Sequence, residues 1–226
     1  MHYQNRFVAF IDILGFKNKV SNSISNNTQL KKLQQTIKSI NEIENLEKKY
    51  PISHIDNKIT TFSDSIILSC LSNSEDSLFY ILLALIHIQI HLAMNDTIVR
   101  GGVTEGFLHH TRKEIYGPAF IEAYELEKQI AIYPRIILSR KLQEKVINSN
   151  AQEIMELIRQ DSSDLNYYIN FIGQINEFND DDVFFGEYQE FLKKIKGIIN
   201  DGLANEDPHI RQKYLWLFVF LTHKLL

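Results

Sequence analysis

Two acidic residues set in apolar, strand-like surroundings are the first candidates for chemistry in this chain of 226 residues. Asp12 is the lone carboxylate of residues 7–17, FVAFIDILGFK, an apolar run that predicts a buried strand. Asp64 lies between two strand-like runs, residues 59–62 and 66–71, at the tip of a predicted hairpin. A buried carboxylate is costly unless it is paired, and two carboxylates can together hold divalent cations. Such cations neutralise a triphosphate and activate a hydroxyl group, and this is the chemistry that the pair predicts.

The predicted order of strands and helices places these two carboxylates side by side. Strand-like runs alternate with helical segments, which predicts an α+β fold with a mixed sheet and helices on one face. A ferredoxin-like, palm-type βαββαβ core fits this order, and in that core the central strands are neighbours. Gly101 and Gly102 fall within a later predicted strand, residues 97–106, where glycines mark the close approach of another backbone or a ligand.

The last part of the chain differs in character from the rest. Two helical segments, residues 184–199 and 208–225, follow a polar turn at residues 179–182. We therefore expect a catalytic domain of residues 1–180 and a C-terminal helical extension of residues 181–226.

Composition narrows the class of protein. The chain is 44% hydrophobic and 23% charged, as is usual for a globular protein, and its net charge of -4 argues against a duplex nucleic acid as partner. Its single cysteine, Cys70, cannot form an intrachain disulfide, which favours a cytoplasmic location. The most apolar windows, residues 79–93 and 214–221, are too short or too interrupted to span a bilayer, so no membrane association is predicted.

Five segments, in this order, resemble the catalytic domains of class III nucleotidyl cyclases. FIDILGF is similar to the first-strand metal motif of that family, and KITTFSDSII resembles the hairpin with the second metal-binding aspartate. IVRGGVTEG, IYGPAFIEAYELEK and PRIILSRKL resemble the next strand, the next helix, and the strand and helix that follow. The resemblance covers about residues 7–147 and extends to bacterial antiphage pyrimidine cyclases, GGDEF enzymes and CRISPR-associated palm polymerases.

This resemblance implies a function and assigns roles to residues. It implies a homodimeric, metal-dependent cyclase or cyclic-nucleotide synthase that converts a nucleoside triphosphate to a cyclic signal and pyrophosphate, and it suggests antiviral defence as the setting. Asp12 and Asp64 would be catalytic and would hold two Mg²⁺ or Mn²⁺ ions, with Ile13 as a further metal contact. Nucleotide and phosphate contacts would come from seven residues, the backbone amides of residues 14–17 serving as donors: Ile13, Leu14, Gly15, Phe16, Lys17, Thr60 and Arg100.

For three of these residues the sequence leaves a second interpretation open. Arg100 either faces the nucleotide or pairs with a nearby acid, Lys17 could be a solvated loop lysine, and Thr60 could simply favour a strand. Likewise, Asp12 could be a buried acid bonded to backbone amides, and Asp64 a turn residue.

Several positions depart from the family pattern and support a second hypothesis. Ser63 stands where the family has glycine, and Pro118 where it has a base-contacting aspartate. Ile121 and Glu125 occupy the positions of its transition-state asparagine and arginine. The alternative function is therefore a degenerate, non-catalytic nucleotide-binding or regulatory module of the same fold.

Overall fold

A computed structural model of the chain describes residues 2–49, 56–74, 76–149, 151–178 and 187–225, without the side chains of residues 44–49 and 223–225. The predicted polar turn at residues 179–182 and the expected domain boundary at residue 180 lie outside the described residues.

The described residues form strands and helices in the following order. They are β1 Gln4–Ile13, α1 Phe16–Ser23, α2 Asn27–Lys49, β2 Lys58–Phe62, β3 Ser65–Leu71, α3 Asp76–Met94, β4 Val99–His110, β5 Ile115–Tyr116, α4 Pro118–Gln129, β6 Ile136–Leu138, α5 Arg140–Ser149, α6 Gln152–Glu156, β7 Ile158–Gln160, β8 Tyr167–Ile169, a 3₁₀ turn Ile175–Phe178, α7 Tyr188–Leu203 and α8 Pro208–Leu225.

One mixed sheet organises the molecule, with the strand order β2-β3-β1-β4-β6-β8-β7 and β5 paired to the end of β4. The central strand β1 is antiparallel to both β3 and β4, and β4 is parallel to β6. The first four strands of the sheet, β2-β3-β1-β4, with α2 and α3 between them in the chain, have the ferredoxin-like order. The predicted α+β class and mixed sheet are therefore confirmed.

Alternate residues of β1 point into two different hydrophobic layers, as expected for a strand that is covered on both faces. Phe7, Ala9 and Ile11 belong to the main core, which includes residues from α2, α3, α7 and α8. Val8 and Phe10 face the other side and join a smaller cluster that includes residues of α4. Most helices thus share one face of the sheet, as predicted, and α4 is an addition on the opposite face.

Helix α3 lies within the main core. Among the described helices, α3 is long and apolar enough to cross a membrane, with a mean hydropathy of 1.8. However, 67% of that stretch is buried inside the protein. Its apolar residues face the sheet and the C-terminal helices rather than solvent. The apolar window at residues 79–93 is therefore a core helix, as the sequence predicted.

The two C-terminal helices pack into the same core as the sheet. Phe191 and Ile195 of α7 and Leu217 and Leu221 of α8 are buried members of the main hydrophobic cluster. Trp216 of α8 reaches the sheet as well, because its indole stacks on a ring of the loop before β6. The middle of α8 is thereby packed against the loop before β6 and against Tyr168 of β8.

Candidate nucleotide and metal site

The two predicted metal-binding carboxylates lie at one end of the central strands. Asp12 is near the end of β1, in register with Ser65 on β3 and Arg100 on β4. Asp64 belongs to the two-residue loop between β2 and β3. The backbone amide of Ile13 donates to the carbonyl oxygen of Asp64 at 3.1 Å, which ties this loop to the end of β1. The structure therefore brings Asp12 and Asp64, 52 positions apart in the sequence, to the same end of the sheet, where the charge of Asp64 acts on Asp12.

The loop that carries Asp64 contains a strained residue. Ser63 has φ = +56°, in the left-handed region that glycine adopts most easily. The resembled cyclase motif has glycine at this position. Ser63 replaces that glycine but keeps the left-handed backbone conformation.

Arg100 occupies the space beside Asp12. Its guanidinium Nη2 lies 2.6 Å from Glu127 Oε1 and 3.5 Å from Asp12 Oδ2, so the arginine forms ion pairs with two acids. Of the two interpretations that the sequence left open for Arg100, the free protein shows the pairing with nearby acids. Glu127 is a member of the site that sequence reasoning missed, and it is only 4% exposed on α4.

Gly102 explains why a helix on the opposite face of the sheet can reach Arg100. A Cβ atom at Gly102 would lie 2.4 Å from Leu126 Cβ and 2.7 Å from the Ala123 carbonyl oxygen, both on α4. Only a residue without a side chain allows α4 this close to β4, and Glu127 is the next residue after Leu126. The glycine thus marks the close approach of a backbone, as its position in a strand predicted, whereas the sequence interpretation placed Glu127 on a charged helix face.

The carboxylates of this site repel one another. Burial raises the pKa of Asp12, with Arg100 opposing that shift and the charge of Asp64 adding to it. Burial likewise raises the pKa of Glu127, again opposed by Arg100 and reinforced by Asp12 and Asp64. Asp12 and Glu127 therefore share the positive charge of Arg100, the charge of Asp64 acts on both acids, and a bound cation would relieve the repulsion among the three.

Asp12 and Asp64 suit a small divalent cation whose remaining ligands are water molecules and substrate phosphates. In the parts of the chain that the structure describes, no three His, Cys, Asp or Glu side chains are grouped so that they could hold a metal ion by themselves. Mg²⁺ is commonly held by one or two carboxylates together with water and substrate phosphates. Asp12 and Asp64 meet that requirement, and Ile13 could add only its backbone carbonyl, since its side chain is apolar. The residues thus fit Mg²⁺ or Mn²⁺ bound together with a nucleotide.

The segment after β1 offers backbone amides, rather than side chains, to the candidate site. The amide of Leu14 already donates to the carbonyl of Ile98 at 2.9 Å, so it is not available to a phosphate group. Gly15, at φ = +76°, is the N-cap residue before α1, and the first turn of this helix has no side-chain cap. The amides of Phe16 and Lys17 therefore remain as donors of the kind that bind anions at helix N-termini. The Lys17 side chain is exposed to solvent.

Thr60 belongs to a different polar network. Its Oγ1 lies 3.0 Å from His110 Nε2, and the other ring nitrogen of His110 lies 2.8 Å from Ser69 Oγ. Ser69 in turn accepts from Nε of the fully buried Arg6. Burial lowers the pKa of His110 to about 4, so its ring is neutral at pH 7. The structure does not bring the Thr60 hydroxyl together with the acids around Arg100.

Comparisons of whole folds find cyclase catalytic domains, whereas comparisons of sequence find nothing. No protein-family model and no curated protein matches the chain. The structure is similar to a class III adenylyl cyclase-like ATP-binding protein from Pseudomonas aeruginosa, with a TM-score of 0.50 and 12% identity over 86% of this chain and 44% of that chain. It is also similar to the catalytic core of a rhodopsin-guanylyl cyclase with converted specificity, with a TM-score of 0.47 and 15% identity over 74% of this chain and 95% of that one.

A ferredoxin-like core with two carboxylates at the end of its central strands defines a palm-type α+β domain. Within that class, the chain has a class III adenylyl cyclase-like fold, as the five sequence segments predicted. The present chain spans less than half the length of the Pseudomonas protein to which it is similar.

Proposed function

We propose that this chain is a metal-dependent nucleotide cyclase or cyclic-nucleotide synthase, which converts a nucleoside triphosphate to a cyclic nucleotide and pyrophosphate. The observation that carries the proposal is the convergence of Asp12 and Asp64, linked through the Ile13 amide, on a cyclase-type sheet. Burial raises the pKa of Asp12, and the charge of Asp64 adds to that shift, which supports a site that is completed by a cation.

The two aspartates and the residues around them would have different roles in binding the cations and the phosphate groups. Asp12 and Asp64 would hold the divalent cations, which when bound neutralise the triphosphate and lower the pKa of the attacking hydroxyl group. Asp12 would thereby give up its contact with Arg100, which keeps Glu127 as partner. Arg100 could then donate to phosphate oxygens, together with the amides of Phe16 and Lys17 at the start of α1.

We further propose that the active form is a homodimer in the cytoplasm. Ile121 and Tyr124 on the outer face of α4 are 57% and 39% exposed, and a second copy of the chain would cover such an apolar surface. Cys70, the only cysteine, is buried as a free thiol, which suits a reducing compartment. Bacterial antiviral defence is the biological setting that the sequence resemblance suggests for the cyclic product.

The test is to incubate the purified protein with Mn²⁺ and each of the four nucleoside triphosphates, singly and mixed, and to identify the products by mass spectrometry. We expect a cyclic nucleotide and pyrophosphate from wild type, and none from Asp12→Asn or Asp64→Asn. Glu144→Gln is the matched control, because Glu144 is an exposed acid of α5 that pairs only with Arg140 in the described structure. Absence of any cyclic product from wild type would contradict the proposal, and product that survives both aspartate substitutions would remove the metal assignment.

One observation favours the second candidate, a non-catalytic nucleotide-binding module. The α4 positions at which the family pattern has asparagine and arginine hold Ile121 and Glu125, and both are exposed. The similar protein from Pseudomonas aeruginosa is likewise described as cyclase-like and ATP-binding rather than as a cyclase. Calorimetry that shows tight nucleotide binding without turnover would support this candidate, and any turnover that depends on Asp12 would exclude it.

A further inference from the structure

A cleft of about 930 Å³ is lined by α1, α2, α7 and α8, together with the loop between α3 and β4. Its volume lies within the range of about 300–1,000 Å³ that is usual for small-molecule sites. Gln29, Lys32 and Thr36 line it from one face of α2, because residues three and four apart on a helix are neighbours. No charged residue of the candidate nucleotide and metal site lines this cleft, so a ligand in it would be a second ligand.

Lys19 of α1 is a half-buried cation in the wall of the cleft. Its Nζ donates to Thr36 Oγ1 at 3.3 Å, and Thr36 Oγ1 lies 3.3 Å from Thr97 Oγ1, so the ammonium group is held against α2. Burial lowers the pKa of Lys19, the charge of Asp96 opposes that shift, and the charge of Lys32 adds to it. An anion in the cleft would stabilise this ammonium group, whose hydrogen-bond partner is a neutral hydroxyl.

The lysines of the cleft outnumber its acids. Among the described residues, four lysines and three acids line it, namely Lys19, Lys32, Lys193, Lys194, Asp96, Glu190 and Asp201. Asp96 is already in contact with Lys194, since each of its carboxylate oxygens lies 3.3 Å from Nζ. No ion pair joins Lys19, Lys32 or Lys193 to a carboxylate of the described residues. A phosphate group with two negative charges would neutralise two of these three lysines.

Gly197 leaves part of the cleft wall without a side chain. It lies in the interior of α7, where glycine destabilises a helix relative to alanine. A Cβ atom at Gly197 would meet no atom within 4 Å, so packing against the described residues does not require glycine there. At Gly202, by contrast, the added Cβ would lie 2.0 Å from Tyr214 Cγ. A ligand that comes close to the α7 backbone would account for the glycine at position 197.

The cleft also offers apolar surface. Leu33 of α2, Ile198 of α7 and Ile210 of α8 line it, and so does Tyr214. A bare phosphate ion would leave this surface in water, whereas an organic group attached to the phosphate would cover it. The combination of lysines and apolar side chains therefore favours an organic phosphate over an inorganic anion.

We propose that this cleft binds a phosphorylated small molecule of about nucleotide size, whose phosphate group contacts Lys19 and Lys32 and whose organic part covers Ile198 and Ile210. The proposal goes beyond the cyclase activity and does not depend on it. The C-terminal helices then form part of a ligand site that the first 180 residues alone would lack.

The experiment is a calorimetric titration of the full chain with AMP, ribose 5-phosphate and inorganic phosphate, in EDTA so that no divalent cation is bound at the candidate metal site. We expect AMP to bind most tightly and inorganic phosphate most weakly. Lys19→Met keeps the apolar stem and removes the charge, and should raise the dissociation constant for AMP on the order of tenfold. Lys32→Met should raise it about threefold, because Lys32 is exposed. Lys31→Met is the matched control, since Lys31 is exposed beside Lys32 on α2 and does not line the cleft.

A fourth variant tests the open space at Gly197. Gly197→Leu places a side chain in the cleft from a position where its Cβ atom meets nothing within 4 Å. Leucine is also a better helix former than glycine. We therefore expect a melting temperature at least as high as that of wild type, together with a dissociation constant for AMP that is raised about tenfold or more. Circular dichroism verifies that every variant is folded.

Each outcome decides the inference. A wild type that binds none of the three probes would overturn it, as would unchanged AMP affinity in both Lys32→Met and Gly197→Leu. These two variants also decide if Lys19→Met fails to fold. Equal affinities for AMP and inorganic phosphate would contradict an organic ligand. AMP binding that is lost in Asp12→Asn and kept in the cleft variants would place AMP in the candidate site and overturn the inference. AMP binding that depends on the cleft, in a chain without turnover, would support the inference and contradict only the cyclase proposal.

Discussion

Replacing Gly102 with alanine should push α4 away from the sheet and separate Glu127 from Arg100. The new Cβ atom would lie 2.4 Å from Leu126 Cβ, whereas carbon atoms in contact stay about 3.5–4.0 Å apart. It would also lie 2.7 Å from the Ala123 carbonyl oxygen, which is part of the helix backbone and cannot rotate away. The helix must therefore retreat by about 1 Å, and the ion pair of 2.6 Å between Glu127 and Arg100 lengthens with it.

The loss of stability in Gly102→Ala follows from the overlap between the new Cβ atom and α4. Overpacking of this kind costs about 1–3 kcal/mol of unfolding free energy when neighbours can adjust, and a backbone contact places Gly102→Ala at the upper end. For a chain of this length, each 1 kcal/mol shifts the melting temperature by about 2–4 °C. We therefore expect Gly102→Ala to melt about 5–10 °C below wild type, and to bind nucleotide more weakly because Arg100 has lost its support.

Gly106→Ala, in the same strand, is the matched control. Its Cβ would meet Ala119 Cβ at 3.4 Å and Lys141 Nζ at 3.7 Å, which is ordinary contact. Both variants are unfolded thermally and followed by circular dichroism in the absence of ligand, at one pH and ionic strength. If Gly102→Ala and Gly106→Ala melt at the same temperature, the close approach of α4 does not position Glu127 and the reasoning is wrong.

Three further predictions concern the strained loop, the metal site and the buried histidine. Ser63→Gly should raise the free energy of unfolding in urea by about 0.5–1 kcal/mol, because Ser63 has φ = +56°; an unchanged urea midpoint would contradict this. Asp12→Asn should abolish the rise in melting temperature that Mn²⁺ causes in wild type, yet leave the metal-free protein at least as stable at pH 7. The reason is that burial raises the pKa of Asp12, so its contribution to stability is lost as pH rises through that pKa. The pKa of His110 is lowered to about 4 from 6.5, so stability should fall as pH drops through this interval, and His110→Gln should flatten that part of the urea-unfolding profile.

Much of the architecture was predictable from local patterns. An apolar run with one acid marked β1, and two β-rich runs around Ser63 and Asp64 marked the β2-β3 hairpin. The two C-terminal helices were also predicted, and the bounds of the second, residues 208–225, agree with Pro208–Leu225 in the structure. These elements follow from hydrophobic period, turn residues and a proline at a helix start, which are all properties of neighbouring residues.

The partners of Arg100 could not be predicted in the same way. Arg100 is 88 positions from Asp12, and its other partner, Glu127, lies on a helix that reaches it only through the gap left by Gly102. In the sequence, Glu127 is one of several acids on a helix, and periodicity does not distinguish a buried acid from a solvated one. Pairing across elements depends on how closely they pack, which a local pattern does not record.

Trp216 illustrates the same limit for the C-terminal helices. Its contacts with Asp161 and Tyr133 join three separate elements of the fold. From sequence alone, Trp216 was an aromatic residue of a core helix or a dimer surface. Nothing in residues 208–225 shows that its indole bonds to an acid of the loop between β7 and β8.

The ion pair between Arg100 and Asp12 would make the proposed cation and nucleotide thermodynamically dependent on each other. In the free protein, Arg100 acts as an internal counter-ion for Asp12. A metal cation that takes Asp12 frees the arginine for an anion, so the cation must increase the affinity for the phosphate groups. By linkage, the nucleotide must increase the affinity for the cation by the same factor. Metal and nucleotide are therefore expected to bind with positive cooperativity, each weakly alone and strongly together.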